Sequence, residues 1–219
     1  MAGTRPVCLG HGPRIDPARE FTQRTLEGRH NRRGHKIEEY ETLDDYLQDG
    51  LDIVFVGINP SEYSVKVGHY FANPRNRFWA ALNKSGLVDR EVSPEDDAEL
   101  IQFGIGFTDL VKRPTRQASG LKAADYREGA PVLHEKMLRY QPRIVCFHGV
   151  TVYQPYLLYV DKVKEKPELG LQRRTIGNSR VYVVPNPSPA NAVYSLEVLA
   201  SWYRRLHDLR LQLRRETVG

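Results

Sequence analysis

Short runs of consecutive apolar residues alternate along this chain with longer stretches in which apolar residues recur every three or four positions. The first run, Ile53-Val54-Phe55-Val56, is closed by Gly57 and reads as a strand buried on both faces. The residues after it read as a loop as far as Asn73-Pro74, where Asn can cap a helix and Pro can occupy its first position. Phe78, Leu82 and a closing Gly86 then predict a helix of about three turns. Gly104 to Val111 predicts a second strand, and Arg143 to Gly149, with Ile-Val-Cys-Phe at its centre, a third. Between them, Leu133, Met137 and Tyr140 set a helix over 121–140, with Pro131 expected to kink or restart it. Residues 172–176 and 180–184 flank Gly177-Asn178-Ser179 as a hairpin. Leu196, Leu199, Tyr203 and Leu206 form one stripe of a final amphipathic helix over 194–213. Strands alternating with helices predict an α/β fold, its mostly parallel sheet of four to five strands covered on both faces.

Residues 1–37 break this texture. They are rich in Arg, Gly, His and Pro without an apolar period, and predict a basic, flexible arm, either a solvated tail or a segment that contacts DNA. Residues 38–219 are then expected to form a single domain, in keeping with a length of 219 residues. The apolar share of 40% is that of a folded protein, and the net charge of +5 favours an anionic partner.

No run approaches the roughly 18 apolar residues of a membrane span. Arg5, Arg14 and Arg19 interrupt any secretion-signal core, so an intracellular, reducing compartment is expected. Two cysteines, Cys8 and Cys146, make neither a disulfide framework nor a zinc site, and Cys146 reads as an inert buried thiol. The seven histidines are scattered, and no phosphate-cradling glycine loop is present. A site without metal or cofactor is expected.

In a parallel sheet, ligands bind where loops leave the carboxyl ends of the strands. Those loops carry Gly57-Ile58-Asn59-Pro60, Thr108-Asp109-Leu110 and Pro185-Asn186-Pro187-Ser188-Pro189. Pro60 biases Asn59 toward an extended backbone, so its amide should point in a fixed direction. Such an amide can orient a water in a hydrolysis whose leaving group departs early. A plain turn is the alternative for Asn-Pro.

Gly57-Ile58-Asn59-Pro60, Gly68-His69-Tyr70-Phe71, Asn76-Arg77-Phe78-Trp79, Ser85-Gly86 and the stretch from Gly104 to Val111 form a series of motifs along the chain. Arg113-Pro114-Thr115, Tyr126-Arg127-Glu128-Gly129, Tyr140-Gln141-Pro142-Arg143 and Val184-Pro-Asn-Pro-Ser188 continue it. Together they resemble the mismatch-specific uracil and thymine DNA glycosylases, within the uracil-DNA glycosylase superfamily. The resemblance spans about residues 42–212 in family order.

It implies a three-layer α/β/α domain, no cofactor, and excision of a base from DNA by a protein expected to act as a monomer. By the same resemblance Asn59 positions the attacking water and Phe71 stacks on the extruded base, unless Phe71 is a core aromatic. Ile58, through its backbone, and Asn186 line the base pocket. Ser64, Lys66 and Ser188 contact flanking phosphates, unless they are merely solvated. His69 fits the pattern, and equally fits a loop hydrogen bond.

The chain departs from the family pattern in three places. Ser61 stands where glycine is usual, narrowing the pocket floor or adding a hydroxyl for the base or a phosphate; thymine is expected to be handled poorly. Pro189-Ala190-Asn191 replaces a loop with an intercalating Leu or Arg, so discrimination for an opposite guanine should weaken and single-stranded substrates be accepted. Asp109 follows Phe107-Thr108, where it is a general base, a stabiliser of positive charge on the sugar, or a structural cap. Two other classes fit the same features: a damaged-DNA-binding module without activity, and a hydrolase of free nucleosides.

Overall fold

Three apolar runs form the buried strands β1 (Ile53–Gly57), β2 (Ile105–Asp109) and β3 (Ile144–His148), with every residue of each shielded from solvent. A hairpin adds β4 (Gly170–Ile176) and β5 (Ser179–Val184). The structure, a computed structural model, describes residues 40–216, so the arm expected over 1–37 lies outside it. The strands make one five-stranded sheet in the order β2-β1-β3-β5-β4. Neighbours pair parallel throughout except β4, which runs antiparallel to β5 at the edge.

The helices are α1 (Glu62–Val67), α2 (Phe78–Asn83), α3 (Ala123–Tyr140), α4 (Val150–Tyr156) and α5 (Leu196–Glu216). Successive strand residues point to opposite faces, and two cores result. Ile53, Phe55, Phe107, Ile144 and Cys146 pack with Phe78 and Leu82 of α2 and with Leu199, Tyr203 and Leu206 of α5. Val54, Val56, Val145, Phe147 and Val183 pack with Leu133 and Met137 of α3 and Val152 and Tyr156 of α4. The result is the expected three-layer α/β/α architecture. Cys146 is fully buried, and burial pushes its thiol well above the ordinary value.

Local structure differs from the sequence expectation in four places. The presumed loop after β1 contains α1, whose Ser61 cap accepts from Ser64 N at 3.0 Å and whose end is turned by Gly68 at φ 83°. Asn73-Pro74 does not open a helix. Asn73 Oδ1 accepts from Arg75 N in a local turn, and α2 starts at Phe78, whose N–H donates to Asn76 Oδ1. Pro131 does not restart α3, which runs unbroken. Pro131 and Arg127, whose carbonyl loses its partner, are both exposed, so water can replace the lost bond. Finally, a 3₁₀ run over Pro94–Phe103 and the helix α4, extended by a π-turn over Leu157–Asp161, occupy stretches that showed no apolar period. No helix among the described residues is long and apolar enough to cross a membrane.

Candidate active site

Because β1, β2, β3 and β5 run parallel, their carboxyl ends share one edge of the sheet. Gly57 is in register with Asp109, and His148 with Val184. The loops leaving these residues surround a cavity of about 1180 Å³.

Asn59 stands in its wall. Its Nδ2 donates to Arg113 O at 2.9 Å and to Thr115 Oγ1 at 2.8 Å. With both amide protons engaged, Oδ1 is the acceptor left to hold a ligand. The two loops that supply this geometry are laced together: Val111 N donates to Ile58 O at 3.0 Å and Thr115 N to Pro60 O at 3.2 Å. Pro60 alone therefore does not orient Asn59; the loop after β2 does so as well.

Asp109 is buried at the end of β2, and its Oδ2 has no hydrogen-bond partner among the described residues. Burial pushes its carboxyl up to about 7, with Lys112 and Lys136 pulling it down and Asp45 pushing it further up. Those neighbours form a network of their own. Asp45 accepts from Lys112 Nζ at 2.9 Å, from Thr108 Oγ1 at 2.7 Å and from Lys136. Burial opposes ionisation of Asp45, yet the two lysines hold it below the usual carboxylate range.

Phe71 adopts the left-handed backbone at φ 53°. Its half-buried ring packs against Phe78 at 4.5 Å between centroids and meets His148 edge-on at 4.9 Å, while also lining the cavity. It is therefore part of the aromatic core on one side and cavity wall on the other.

The loop after β5 closes the far side. Asn186 Oδ1 accepts from Ser188 N at 2.9 Å, leaving its Nδ2 as the open end, and Asn186 O accepts from Asn191 Nδ2 at 3.1 Å. Pro189 and Ala190 are exposed at the rim. The hydroxyls of Ser61 and Ser64 bond each other at 3.0 Å while Ser61 caps α1. Lys66 is exposed on α1 and is not part of the cavity wall. His69 Nδ1 lies 3.2 Å from Asp97 Oδ1. The fold thus gathers Asn59, Asp109, Ile58, Ser61, Phe71, Asn186, Ser64, Ser188, Pro189, Ala190 and Asn191 around one space, and leaves Lys66 outside.

Three residues of this site were not anticipated. His148 ends β3 and lines the cavity; a polar residue closing a buried apolar run at the carboxyl edge was the available signal. Thr115 holds Asn59. Arg77 clamps the loop after β5: its guanidinium donates to the carbonyls of Pro187, Ser188, Asn191 and Tyr194. Among the described residues no group of three His, Cys, Asp or Glu lies together to hold a metal ion.

Comparison with known proteins identifies the family. Among solved structures, a solution NMR structure of a candidate uracil DNA glycosylase from Methanosarcina acetivorans aligns over 76% of this chain and 98% of that one, at 23% identity and a TM-score of 0.47. The sequence model of the uracil DNA glycosylase superfamily matches residues 45–210, which include the four strand ends and the loops between them. This chain belongs to the uracil DNA glycosylase superfamily.

Proposed function

We propose that this chain is a monofunctional DNA glycosylase that hydrolyses the N-glycosidic bond of uracil, or of a related deaminated or damaged base, flipped out of DNA. The observation that carries this reading is the pairing of Asn59, its amide protons tied to Arg113 and Thr115, with the buried Asp109 on the adjacent strand. As the bond breaks, the base leaves with the electron pair and positive charge grows on the sugar. Asn59 Oδ1 holds the water that attacks the anomeric carbon. Asp109, when ionised, takes the proton of that water and stabilises the charged sugar. Phe71 stacks on the extruded base, and the open Nδ2 of Asn186 reads its edge.

Within the superfamily, the motifs around Asn59 and the loop after β5 favour the mismatch-specific uracil and thymine branch. The side chain at Ser61 argues against efficient handling of thymine. Ala190 fills little of the gap left by a flipped base, so loosely paired or single-stranded DNA should serve as substrate. Ser64, Ser188 and Asn191, which line the cavity, would contact the flanking strand.

The test incubates the purified protein with labelled oligonucleotides carrying uracil, hypoxanthine, xanthine, ethenocytosine or thymine opposite each base, followed by alkaline cleavage. Abasic product from uracil in both single and double strands is expected. No abasic product from any of them, with binding retained, would mean a damage-binding module instead.

A further inference from the structure

A second cavity, of about 540 Å³, opens at the amino edge of the sheet, the edge opposite the candidate active site. Asp52, Gly104 and Arg143 line it, and each directly precedes one of the parallel strands β1, β2 and β3. Arg210 and Arg214, one turn apart on α5, complete a cluster of three arginines. Arg143 Nε lies 3.2 Å from Asp52 Oδ1, and Arg214 grips Asp52 Oδ2 through Nε at 2.9 Å and through Nη2. Gly104 allows this closeness: its backbone turns at φ 73°, and a Cβ there would come within 2.7 Å of Asp52 Oδ2.

The charges of this cavity do not balance. Arg210 is only 5% exposed, and its guanidinium donates to neutral acceptors: Leu87 O at 3.1 Å, Phe103 O at 3.4 Å and His207 Nδ1 at 2.9 Å. Burial and Arg210 itself hold His207 below its ordinary value, so it serves as an uncharged acceptor. Burial and Arg214 both press against the charge of Arg210, and Asp52 eases it. Among the described residues lining the cavity, Asp52 is the one buried carboxylate, and Asp89 is exposed at the rim. Three guanidinia therefore outnumber the acids even with Asp89 counted. Asp52 and one arginine would suffice to tie α5 to the sheet. Further guanidinia drawn out of water beside that pair cost desolvation and mutual repulsion, which an entering anion offsets.

We propose that this cavity binds the phosphate group of a small anionic molecule, with Arg143 and Arg214 as donors and the buried Arg210 adding its charge. The guanidinia of Arg143 and Arg214 both reach solvent. Asp52 occupies one edge of the Arg214 fork, Nε and Nη2, and leaves Nη1 to a ligand. A phosphate group answers the surplus better than a carboxylate, since it carries about −1.5 to −2 charges near pH 7 and three acceptor oxygens. The cavity is also roomier than a bare phosphate ion requires, and lies in the roughly 300–1,000 Å³ range of small-molecule sites. Strands of five residues, about 16 Å long, separate it from the cavity at the carboxyl edge. A nucleotide seated in that other cavity therefore does not reach it, and the inference is independent of the glycosylase reading.

The test titrates inorganic phosphate and pyrophosphate into the full-length ¹⁵N-labelled protein at constant ionic strength, with chloride as the control. Saturable shifts of the Gly86 and Gly104 amides and of the Arg143 and Arg214 Nε–H signals are expected with the phosphates and not with chloride. Arg143→Gln and Arg214→Gln should each weaken that affinity at least tenfold, with thermal unfolding in the absence of phosphate confirming that each variant is folded. A single-stranded oligonucleotide without lesion or terminal phosphate should leave the same signals in place. Shifts with the oligonucleotide and not with phosphate or pyrophosphate would make this a surface for a nucleic-acid strand, and would overturn the proposal. So would the lack of saturable shifts at Gly86 and Gly104, or an unchanged affinity in either folded variant.

Discussion

Gly57 and Asp109 face each other across β1 and β2 so closely that a Cβ on residue 57 would collide with the Asp109 Oδ1. The same Cβ would stand 3.7 Å from the ring of Phe71. Glycine is required here by space rather than by backbone conformation. Gly57→Ala should therefore displace the carboxylate, lowering the single-turnover excision rate by at least about tenfold and Tm by roughly 2–4 °C. Circular dichroism melting and gel-based kinetics on a uracil oligonucleotide check both.

Asn59 and Thr115 test the proposed water-holding role in two steps. Asn59→Ala removes the acceptor and should cost two or more orders of magnitude in single-turnover rate. Thr115→Val keeps the acceptor but frees one of its tethers, so a loss of about tenfold in rate with unchanged DNA affinity is expected. Near wild-type rates in Asn59→Ala beside an inactive Asp109→Ala would move the chemistry to the carboxylate alone.

If Asp109 is the base, rate and stability should depend on pH in opposite directions. Acting as a base requires its ionised form, so the excision rate should rise with pH up to about 7 and level off above it. Asp109→Asn should be slow and flat across the same range. For stability, the unfolded carboxyl ionises near its ordinary 3.8 while the folded one holds its proton to about 7. The fold therefore loses stability as pH climbs between those values, and the loss persists above. Asp109→Asn should raise Tm by about 3–6 °C at pH 8 and leave it nearly unchanged at pH 4, measured by calorimetry.

His148 acts in the acid direction. Its folded value of about 3 lies below the ordinary 6.5, so the unfolded chain takes up the proton first. The stability this neutral ring contributes is present above pH 6.5 and is lost progressively as pH falls toward 3. His148→Gln, which cannot titrate, should show a shallower decline of Tm over that interval than the wild type.

Phe71 separates stacking from packing. Phe71→Ala should weaken binding to an oligonucleotide carrying a non-cleavable flipped-base analogue by about 1–3 kcal/mol. A fall in Tm with unchanged affinity would assign the ring to the core it shares with Phe78 and His148.

The strands were legible because a buried parallel strand needs an unbroken apolar run, and Ile53–Val56 and Ile144–Phe147 supply one each. The place of the candidate site was legible, since Asn59 follows β1 by two residues and Asp109 ends β2, both at the carboxyl edge of the sheet. What escaped notice is held by contacts that leave no local period. The helix α1 spans six residues, is closed by Ser61 and Gly68, and buries only Ser64. The 3₁₀ run over Pro94–Phe103 buries only Asp97 and Leu100. His148 read as the end of its strand, because the Tyr203 hydroxyl that gives its ring a direction lies 55 residues away in sequence.

The grip of Arg77 on the loop after β5 has a further meaning for how such a site changes over generations. Every oxygen it holds belongs to the backbone, and a carbonyl is the same in every amino acid. The shape of the loop thus depends on Arg77 together with the side chains of Asn186 and Asn191, while the side chains at 189, 190, 192 and 193 take no part in holding it. If the proposed function holds, single substitutions there should alter lesion and opposite-base preference without rebuilding the loop that carries them.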